Sequence, residues 1–410
     1  MTEKQGRAKG WAMTALVILT ALNFVNYIDR SVLFAVQPLV QREFPGSDAQ
    51  FGLLTTAFFF CYMVTAPVVG WLADRYSRRA IMCMGALLWS AATLLTAVTH
   101  NFTELMIRHT LVGVGEATFV AIAPSFLSDL HPENRRGRVL AVFYLAIPVG
   151  TALGYLVGGA IGSRWGWRAP FLVGAVPGAL LGLLLLLVPE PRRGEQDQLA
   201  VTVERGTFAG LWRNPAFWTG TIGMAMLTFA IGGMQVWMPT FLSRIRGVPL
   251  ATANLRFGLL TLAAGIVATM LGGWLGDRME ARKRGGHCLI SGIGMALALP
   301  SVLLAVYVTG SWMYPMIFLG EFFLLLNTAP LNAAILNSVS APIRSTAFAV
   351  NLFTIHLLGD AFSPSLMGFI SDHSNMQKAF WAASVAIAIS AGVLFLGVRY
   401  APQLPQGSRD

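Results

Sequence analysis

Apolar segments of membrane-spanning length recur along the whole chain, separated by short polar or charged turns. A helix needs about 20 consecutive apolar residues to cross a bilayer. A segment in lipid must also satisfy its own backbone hydrogen bonds, which favours helices. The pattern therefore predicts an all-α membrane protein with twelve transmembrane helices. These lie at about 11–38, 50–73, 80–99, 103–128, 137–161, 168–189, 215–243, 252–276, 287–309, 312–338, 343–371 and 377–400.

Two of the turns between apolar segments have nearly the same sequence. Gly-Trp-Leu-Ala-Asp-Arg occupies 70–75, and Gly-Trp-Leu-Gly-Asp-Arg occupies 273–278, about half a chain later. The duplication predicts two pseudo-symmetric six-helix bundles, the plan of transporters that work by alternating access. The bundles are predicted at 1–189 and 215–410, joined by a polar linker at 190–214.

Composition and charge agree with a membrane protein. The chain is 55% apolar and 12% charged, whereas soluble domains carry about 25% charged residues. Its net charge of +10 does not indicate nucleic-acid binding, because the basic residues sit in short loops on one side of the predicted helices. Twenty Lys and Arg lie on the side of the termini and seven on the other. This asymmetry predicts that the linker and both termini are cytoplasmic.

Several kinds of site find no support in the sequence. The three cysteines, Cys61, Cys83 and Cys288, have unrelated spacings and predict neither a disulfide framework nor a metal site. We find no nucleotide-binding glycine loop and no nucleophile–base arrangement, so we expect neither an enzyme nor an ATP-driven pump. The basic N-terminus precedes an apolar run too long for a signal peptide, which we interpret as the first transmembrane helix.

Polar side chains within the first and fourth predicted helices are the main candidates for function. Asn23, Asn26, Tyr27 and Arg30 follow helical spacing and share one face of the first helix, with Asp29 about 100° away. A charge at mid-membrane costs about 2.5–3.5 kcal/mol, so such residues are functional candidates. We interpret this face as the lining of a cavity, with a hydrogen-bonded seam between helices as the alternative.

The fourth helix carries Arg108 and Glu116, close to the same side. Estimating depth from the helical rise pairs Asp29 with Arg108 and Arg30 with Glu116. The charges of these two acidic and two basic residues would compensate one another, which would allow the helices to insert into the membrane. Each charged residue would also have more than one possible partner. Permanent ion pairs that only hold the bundle together remain the alternative.

The second half and the duplicated turns supply the remaining candidates. Glu321, His356 and Asp360 lie within predicted helices, and the last two share a face. We group them with Asn26, Tyr27, Arg30 and Arg108 as predicted substrate-binding residues. The turns are predicted to act as a conformational gate through ion pairs at helix ends, and their gating residues are Asp74, Arg75, Asp277 and Arg278.

The motifs carry a family resemblance. The turn that begins at Gly70 and the segment Arg108-x-x-x-x-Gly-x-Gly-Glu-Ala resemble signatures of the major facilitator superfamily. Asn26-Tyr-Ile-Asp-Arg-Ser-Val-Leu, Phe143-Tyr-Leu-Ala-Ile-Pro-Val-Gly and His356-Leu-Leu-Gly-Asp-Ala-x-Ser-Pro narrow the resemblance to the spinster family. It implies the major facilitator fold, a central cavity, and export of sphingosine phosphate or of lysophospholipids, the latter with proton coupling.

Carried onto this chain, the resemblance implies that Asp29 and Glu116 are protonation sites. Arg30 and Arg108 would respond to a proton or to an anionic headgroup. The short termini and loops resemble a bacterial member, a multi-pass protein of the cell inner membrane. Protons would be the coupling ion, with no other cofactor.

The predicted function is proton-coupled transport of an amphipathic anionic lipid by a monomer in the bilayer. Two motifs also resemble anion:cation symporters, so proton-coupled symport of a small organic anion such as a sugar acid is the alternative. A receptor-like or structural role in the membrane is a further alternative.

Overall fold

The structure is a computed structural model that describes residues 3–192, 208–339 and 343–402. The first half of the sequence forms seven helices. They are α1 (Glu3–Glu43), α2 (Asp48–Ala73), α3 (Arg78–Thr96), α4 (Phe102–Val120), α5 (Ala123–Leu130), α6 (Glu133–Trp165) and α7 (Ala169–Leu185).

Within the described residues, the second half adds nine α-helices, one short 3-10 helix (Gly310–Trp312) and one segment of π-helix. The helices are α8 (Phe208–Trp212), α9 (Pro215–Arg244), α10 (Leu250–Arg282), α11 (Gly286–Tyr307), α12 (Met313–Leu325), α13 (Thr328–Asn337), α14 (Arg344–Ile355), α15 (Ser363–His373) and α16 (Met376–Tyr400). The π-helical segment, His356–Asp360, lies between α14 and α15. Most of the predicted linker, 193–207, lies outside the described residues.

These helices account for all twelve predicted membrane spans. Within the described residues, ten helical segments are long and apolar enough to cross a bilayer. The sixth span is the shorter apolar helix α7, and the eleventh is divided into α14, the π-helical segment and α15. The eleventh is interrupted because Gly359 leaves helical geometry, with φ −103° and ψ −110°. The predicted all-α membrane fold is confirmed.

Local sequence signals set several helix ends. Ser77, Asn101 and Asn375 precede α3, α4 and α16, and each side chain accepts a hydrogen bond from a backbone amide in the first turn. Such N-caps satisfy donors that the helix itself leaves free. Gly285 has φ +72°, a conformation that other residues rarely adopt, and it turns the chain into α11.

The chain forms two compact units, and each combines most of one sequence half with a short segment of the other. The first consists of Met1–Gly46, Ala57–Val201 and Leu242–Gly258. The second consists of Ser47–Thr56, Thr202–Phe241 and Leu259–Asp410. The predicted boundaries at 189 and 215 stay a prediction, but the exchanged segments show that helices α2, α9 and α10 each contribute to both units.

In the first unit, α1 packs against α6, and α3 packs against both α4 and α7. The close approach of α3 and α4 requires glycine, because a Cβ at Gly115 would lie 2.6 Å from the amide nitrogen of Trp89. The segment 242–258 joins this unit through Asn254, whose amide donates to the carbonyl of Ala35 at 3.0 Å.

In the second unit, α11 packs against α12 and α16, and α15 packs against α16. The start of α2 joins this unit by a helix cap. The amides of Asp48 and Ala49 donate to the carboxylate of Asp372 at 2.8 and 2.9 Å, and Ser371 donates to the Asp48 carboxylate at 2.6 Å. A carboxylate at a helix N-terminus is favourable because it meets free amides and the positive end of the helix dipole.

The predicted topology can be checked with single cysteines at the two helix ends it places on opposite sides. In a variant whose three native cysteines are replaced by serine, Lys4→Cys should react with an impermeant maleimide only from the cytoplasmic side. His373→Cys, at the end of α15, should react only from the opposite side. Labelling of both from the same side would contradict the twelve-helix topology.

Candidate transport site

The first unit holds an ion pair between α1 and α4. The guanidinium of Arg30 donates from Nε and Nη2 to the same oxygen of Glu116, Oε2, at 3.2 and 2.7 Å. The Arg30 side chain is 14% exposed, whereas that of Glu116 is fully buried. This pair is the one predicted from helix depth. The pair thus joins a fully buried carboxylate to a guanidinium that is partly exposed.

Four aromatic rings surround the Arg30 guanidinium. Its central carbon lies 5.0 Å from the ring centroid of Tyr27, 5.1 Å from Phe58, 5.5 Å from Phe59 and 5.6 Å from Tyr62. We call these four residues the ring cluster. All four distances fall within the roughly 6 Å over which a cation is attracted to an aromatic face. The guanidinium is therefore held by one carboxylate and four ring faces.

The ring cluster is positioned by close packing of α2 on α4. A Cβ at Gly113 would lie 2.6 Å from the carbonyl oxygen of Phe58, so only glycine allows the two helices to approach this closely. The ring of Phe58 also stacks on the buried His109, with 5.3 Å between centroids. Phe58 is thus fixed from two sides.

Asp29 and Arg108 are not paired, contrary to the prediction from helix depth. Asp29 is buried, and its Oδ1 lies against α7, 2.5 Å from where a Cβ on Gly174 would stand. Arg108 bonds instead to Glu104, one turn earlier on α4, at 3.1 Å, and donates to the carbonyl of Leu95 at 2.6 Å. The pairing fails because Arg108 lies near the start of α4, where these nearer partners are available.

Two asparagines on the polar face of α1 are buried. Asn23 donates to the carbonyl of Phe143 at 2.9 Å, which makes it part of the seam between α1 and α6. Asn26 is fully buried on the same face. The seam interpretation therefore applies to Asn23, while the interpretation of Asn26, Tyr27 and Arg30 as the lining of a cavity stays a prediction.

In the second unit, the predicted pair on the eleventh span is in contact. His356 Nδ1 lies 2.9 Å from Asp360 Oδ1, and both residues fall in the π-helical segment. Such segments are frequent at functional sites. Glu321 on α12 is fully buried, and within the described residues neither of its carboxylate oxygens has a hydrogen-bond donor. Their roles in binding substrate stay predictions.

The predicted gating residues lie on the surface of the turns. Asp74, Arg75 and Arg278 are exposed, and the Asp277 side chain is 81% exposed with His287 at 3.9 Å. The two arginines lie over Trp71 and Trp274, the tryptophans of their own turns. Their role in gating stays a prediction.

The buried charge at the first turn is Arg78, which the sequence analysis did not single out. Its Nη1 donates to Asp129 at the end of α5 at 2.5 Å, and its backbone amide donates to Glu190 at 2.7 Å. Nη2 donates to the carbonyl of Pro191 at 2.9 Å. Arg78 thus connects the starts of α3 and of the linker to the end of α5.

The described residues contain no group of three or more His, Cys, Asp or Glu side chains arranged to hold a metal ion. The site described above consists of an ion pair, aromatic rings and buried carboxylates.

Comparisons with known proteins assign the family. The family model of the Major Facilitator Superfamily matches residues 19–359. Protein spinster homolog 1 of Xenopus laevis is 36% identical over 386 residues, which cover 88% of this chain and 73% of the relative. The chain belongs to the spinster family of the major facilitator superfamily. Members of this family are transporters rather than enzymes.

Other spinster relatives and solved structures agree. The sphingosine-1-phosphate transporter SPNS2 of Xenopus tropicalis is 34% identical over 425 residues, covering 97% of this chain and 82% of the relative. A bacterial homologue of the human lysosomal transporter spinster, in an inward-facing and occupied conformation, has a TM-score of 0.86. It is 23% identical and covers 96% of this chain and 99% of its own. At this identity, the match to the solved structure shows the fold alone.

The sequence predictions omitted two features of this spinster protein, the three rings of α2 and the contacts of Arg78. Phe58, Phe59 and Tyr62 lie in the apolar run of α2, where ring faces turned toward Arg30 cannot be distinguished from ring faces turned toward lipid. Arg78 did carry a signal, because it begins a helix whose first turn holds basic residues and lacks acidic ones. A positive charge is unfavourable at that end of a helix, which indicates an anionic partner elsewhere.

The contacts of Arg78 predict a large effect on stability. Arg78→Gln removes the cation from a buried network and leaves Asp129 and Glu190 without it. We therefore expect the free energy of unfolding to fall by about 3 kcal/mol. Arg75→Gln is the matched control, because Arg75 is an exposed arginine of the same turn. The measurement is thermal unfolding of the purified protein in one detergent. Equal midpoints for the two variants would contradict the network.

Proposed function

We propose that this protein is a proton-coupled secondary transporter of an amphipathic anionic lipid, such as a lysophospholipid or a sphingosine phosphate. The observation that carries the proposal is the pair of Arg30 with Glu116 inside the ring cluster. A planar guanidinium is the side chain best suited to bidentate binding of phosphate. Arg30 is also the partly exposed member of the pair, so a headgroup can approach it.

The lipid part of the proposal is supported by the relative whose name states a lipid substrate. SPNS2 is a sphingosine-1-phosphate transporter, and its similarity extends over 97% of this chain. The aromatic rings beside Arg30 favour the same class, because they supply apolar surface next to the cation.

Proton coupling is supported by an imbalance of charge around α1. Arg30 is bonded to Glu116, while the second buried carboxylate, Asp29, lies within electrostatic range of Glu116 and away from Arg108. Of these two neighbouring carboxylates only Glu116 is bonded to the guanidinium, and a proton would balance the charge of Asp29. If Arg30 changes partner during the transport cycle, the carboxylate that loses the guanidinium would bind the proton. Protonation would then be coupled to conformation.

We further propose that the protein acts as a monomer in the cell inner membrane, with both termini in the cytoplasm. The orientation of the termini is supported by the excess of Lys and Arg in the loops on that side. Protons are the only coupling ion proposed.

The test is flux through purified protein in proteoliposomes with an imposed pH gradient. The panel contains a lysophospholipid, a sphingoid phosphate and a sugar acid, each radiolabelled, with protein-free liposomes as control. We expect gradient-dependent flux of at least one of the lipids. Gradient-driven flux of the sugar acid alone would favour the organic-anion alternative, and flux unaffected by the gradient would contradict proton coupling.

A further inference from the structure

We propose that Glu321 is a proton-binding site of the second unit and that it carries a second coupling proton. The inference rests on the proposed function, and it adds a carboxylate outside the cluster of Asp29, Arg30 and Glu116. Glu321 lies on α12, in the tenth membrane span. It is among the predicted substrate-binding residues, but its side chain is fully buried. A proton needs no cavity, whereas a headgroup does.

Glu321 occupies the position in the second half that Glu116 occupies in the first. Each glutamate follows a glycine, and each precedes an Ala-Pro pair, at 123–124 and at 329–330. Each also lies four residues before the last residue of its helix, α4 or α12. The internal duplication therefore extends from the turns to a buried glutamate in each half.

The two glutamates differ in the charge around them. Glu116 is bonded to Arg30 and lies beside Asn26. Within the described residues, neither carboxylate oxygen of Glu321 has a hydrogen-bond partner. Helix α9, which forms the seventh span as α1 forms the first, contains no Lys or Arg before its last residue, Arg244. The second half thus has the carboxylate without the cation.

The elements around α12 offer Glu321 no counter-charge. The helix packs against α11, against the short 3-10 helix before it and, through Phe322, against α10. On the eleventh span, His356 and Asp360 are bonded to each other. Among the described residues, no charged group acts on the Glu321 carboxylate. The titratable residues of α10, α11 and α12 other than Glu321 all lie near helix ends, and they are Arg256, Asp277, Arg278, Glu280, Arg282, His287, Cys288, Tyr307 and Tyr314.

Burial without a partner favours the neutral acid. Moving an isolated ionised carboxylate out of water costs far more than moving a neutral polar group, and in proteins such a group neutralises instead. Glu321 has neither a cation nor a donor among the described residues that would stabilise its anion. In this conformation its carboxyl group therefore holds a proton.

The position of Glu321 also provides for release of the proton. Helix α12 ends one turn later, and the chain resumes as α13 at Thr328. Asn327, in this break, is fully buried, and its side-chain oxygen has no hydrogen-bond partner among the described residues. Irregular backbone within a membrane span lies either inside the protein or along a water-filled cavity. A rearrangement that hydrates the break would favour the anion and release the proton.

The first test detects the proton on Glu321 in the purified full-length protein, without transport. Cell-free synthesis with isotopically labelled glutamate separates the infrared carbonyl band of protonated glutamate from that of Asp29 and the other aspartates. Exposed glutamates are ionised at neutral pH, and Glu116 and Glu321 are the two buried glutamates among the described residues. We expect a protonated-glutamate band in the wild type at neutral pH.

Two variants assign that band. Glu321→Gln should abolish it. Glu116→Gln is the matched control, because it makes the same change at the equivalent position of the first half, and it should retain the band. Retention in Glu116→Gln assigns the band to Glu321 by elimination, even if Glu321→Gln does not fold.

Flux in proteoliposomes tests whether the proton is carried. Glu321→Gln should lower lipid flux driven by the pH gradient by about fivefold or more. Exchange of labelled for unlabelled lipid at equal pH should stay near the wild-type level, because exchange requires no release of the proton. Glu280→Gln, at the end of α10 in the same unit, is the control and should match the wild type in both assays.

The outcomes separate this inference from the proposed function. A wild type without the band, a band that survives Glu321→Gln, or a band lost in Glu116→Gln overturns the proton site while lipid transport stands. Unchanged gradient-driven flux in Glu321→Gln overturns the coupling role. If the wild type transports no lipid of the panel, the proposed function falls and the coupling role with it, while the band still decides whether Glu321 binds a proton.

Discussion

Asp29→Asn is expected to remove most of the pH response of the conformational equilibrium and to collapse proton-driven flux, while the protein still folds. Asp29 is a buried carboxylate close to Glu116, and the guanidinium of Arg30 is bonded to Glu116. Asparagine mimics the protonated side chain at every pH. Coupling between two sites is typically worth 1–3 kcal/mol, so we expect gradient-driven flux to fall by about 5- to 150-fold.

The measurement is a distance reporter across the duplicated turns, titrated through the physiological pH range in the wild type and in Asp29→Asn. Asp129→Asn is a useful comparison, since Asp129 is a carboxylate of the same bundle that is bonded to Arg78 at the turn. Superimposable titration curves for the wild type and Asp29→Asn would show that the proton is sensed elsewhere. Glu116, Glu321 and Asp360 would then be the next residues to test.

Arg30→Ala is expected to have the second largest effect, on both stability and transport. The fully buried Glu116 would lose its partner, and removing one member of a buried ion pair costs about 3–5 kcal/mol. Arg30→Lys should cost less but should not restore binding of the headgroup, because lysine lacks the planar fork. Glu116→Gln should lower flux, with a larger effect on headgroup binding than on the pH response.

A double variant separates the two roles of Arg30. Arg30→Ala combined with Glu116→Gln removes both charges and should recover much of the lost stability, since no bare carboxylate remains. Transport should stay at the level of Arg30→Ala, because the arginine that would bind the phosphate is still absent. Thermal midpoints and flux of one lysophospholipid are measured on the same preparations. Recovery of flux in the double variant would show that the pair is only structural.

The success of some sequence predictions and the failure of others have physical reasons. The duplicated turns and the long apolar runs gave the twelve spans because membrane helices are specified by length and composition. Helix depth paired Arg30 with Glu116 correctly, since each is long and faces the other across α1 and α4. The same arithmetic failed for Arg108, because depth does not include competition from nearer partners such as Glu104.

Other features depend on tertiary contacts that no single segment encodes. The ring cluster combines one residue of α1 with three of α2, and it forms only because all four rings lie around the same guanidinium. Similarly, the contribution of α2 and α10 to both compact units comes from contacts such as those of Asp372 and Asn254. Hydropathy assigns the ends of α2 and α10 to their own sequence halves, because it carries no information about these contacts.

The cap on α2 makes the amide hydrogens of Asp48 and Ala49 natural isotope-exchange probes of this end of the protein. Both amides are bonded to a carboxylate that lies more than 300 positions away along the chain. Deuterium can replace these hydrogens only after the bond to Asp372 opens. Their exchange rates would therefore record how often α2 and α15 separate, without any attached label and in the unaltered sequence.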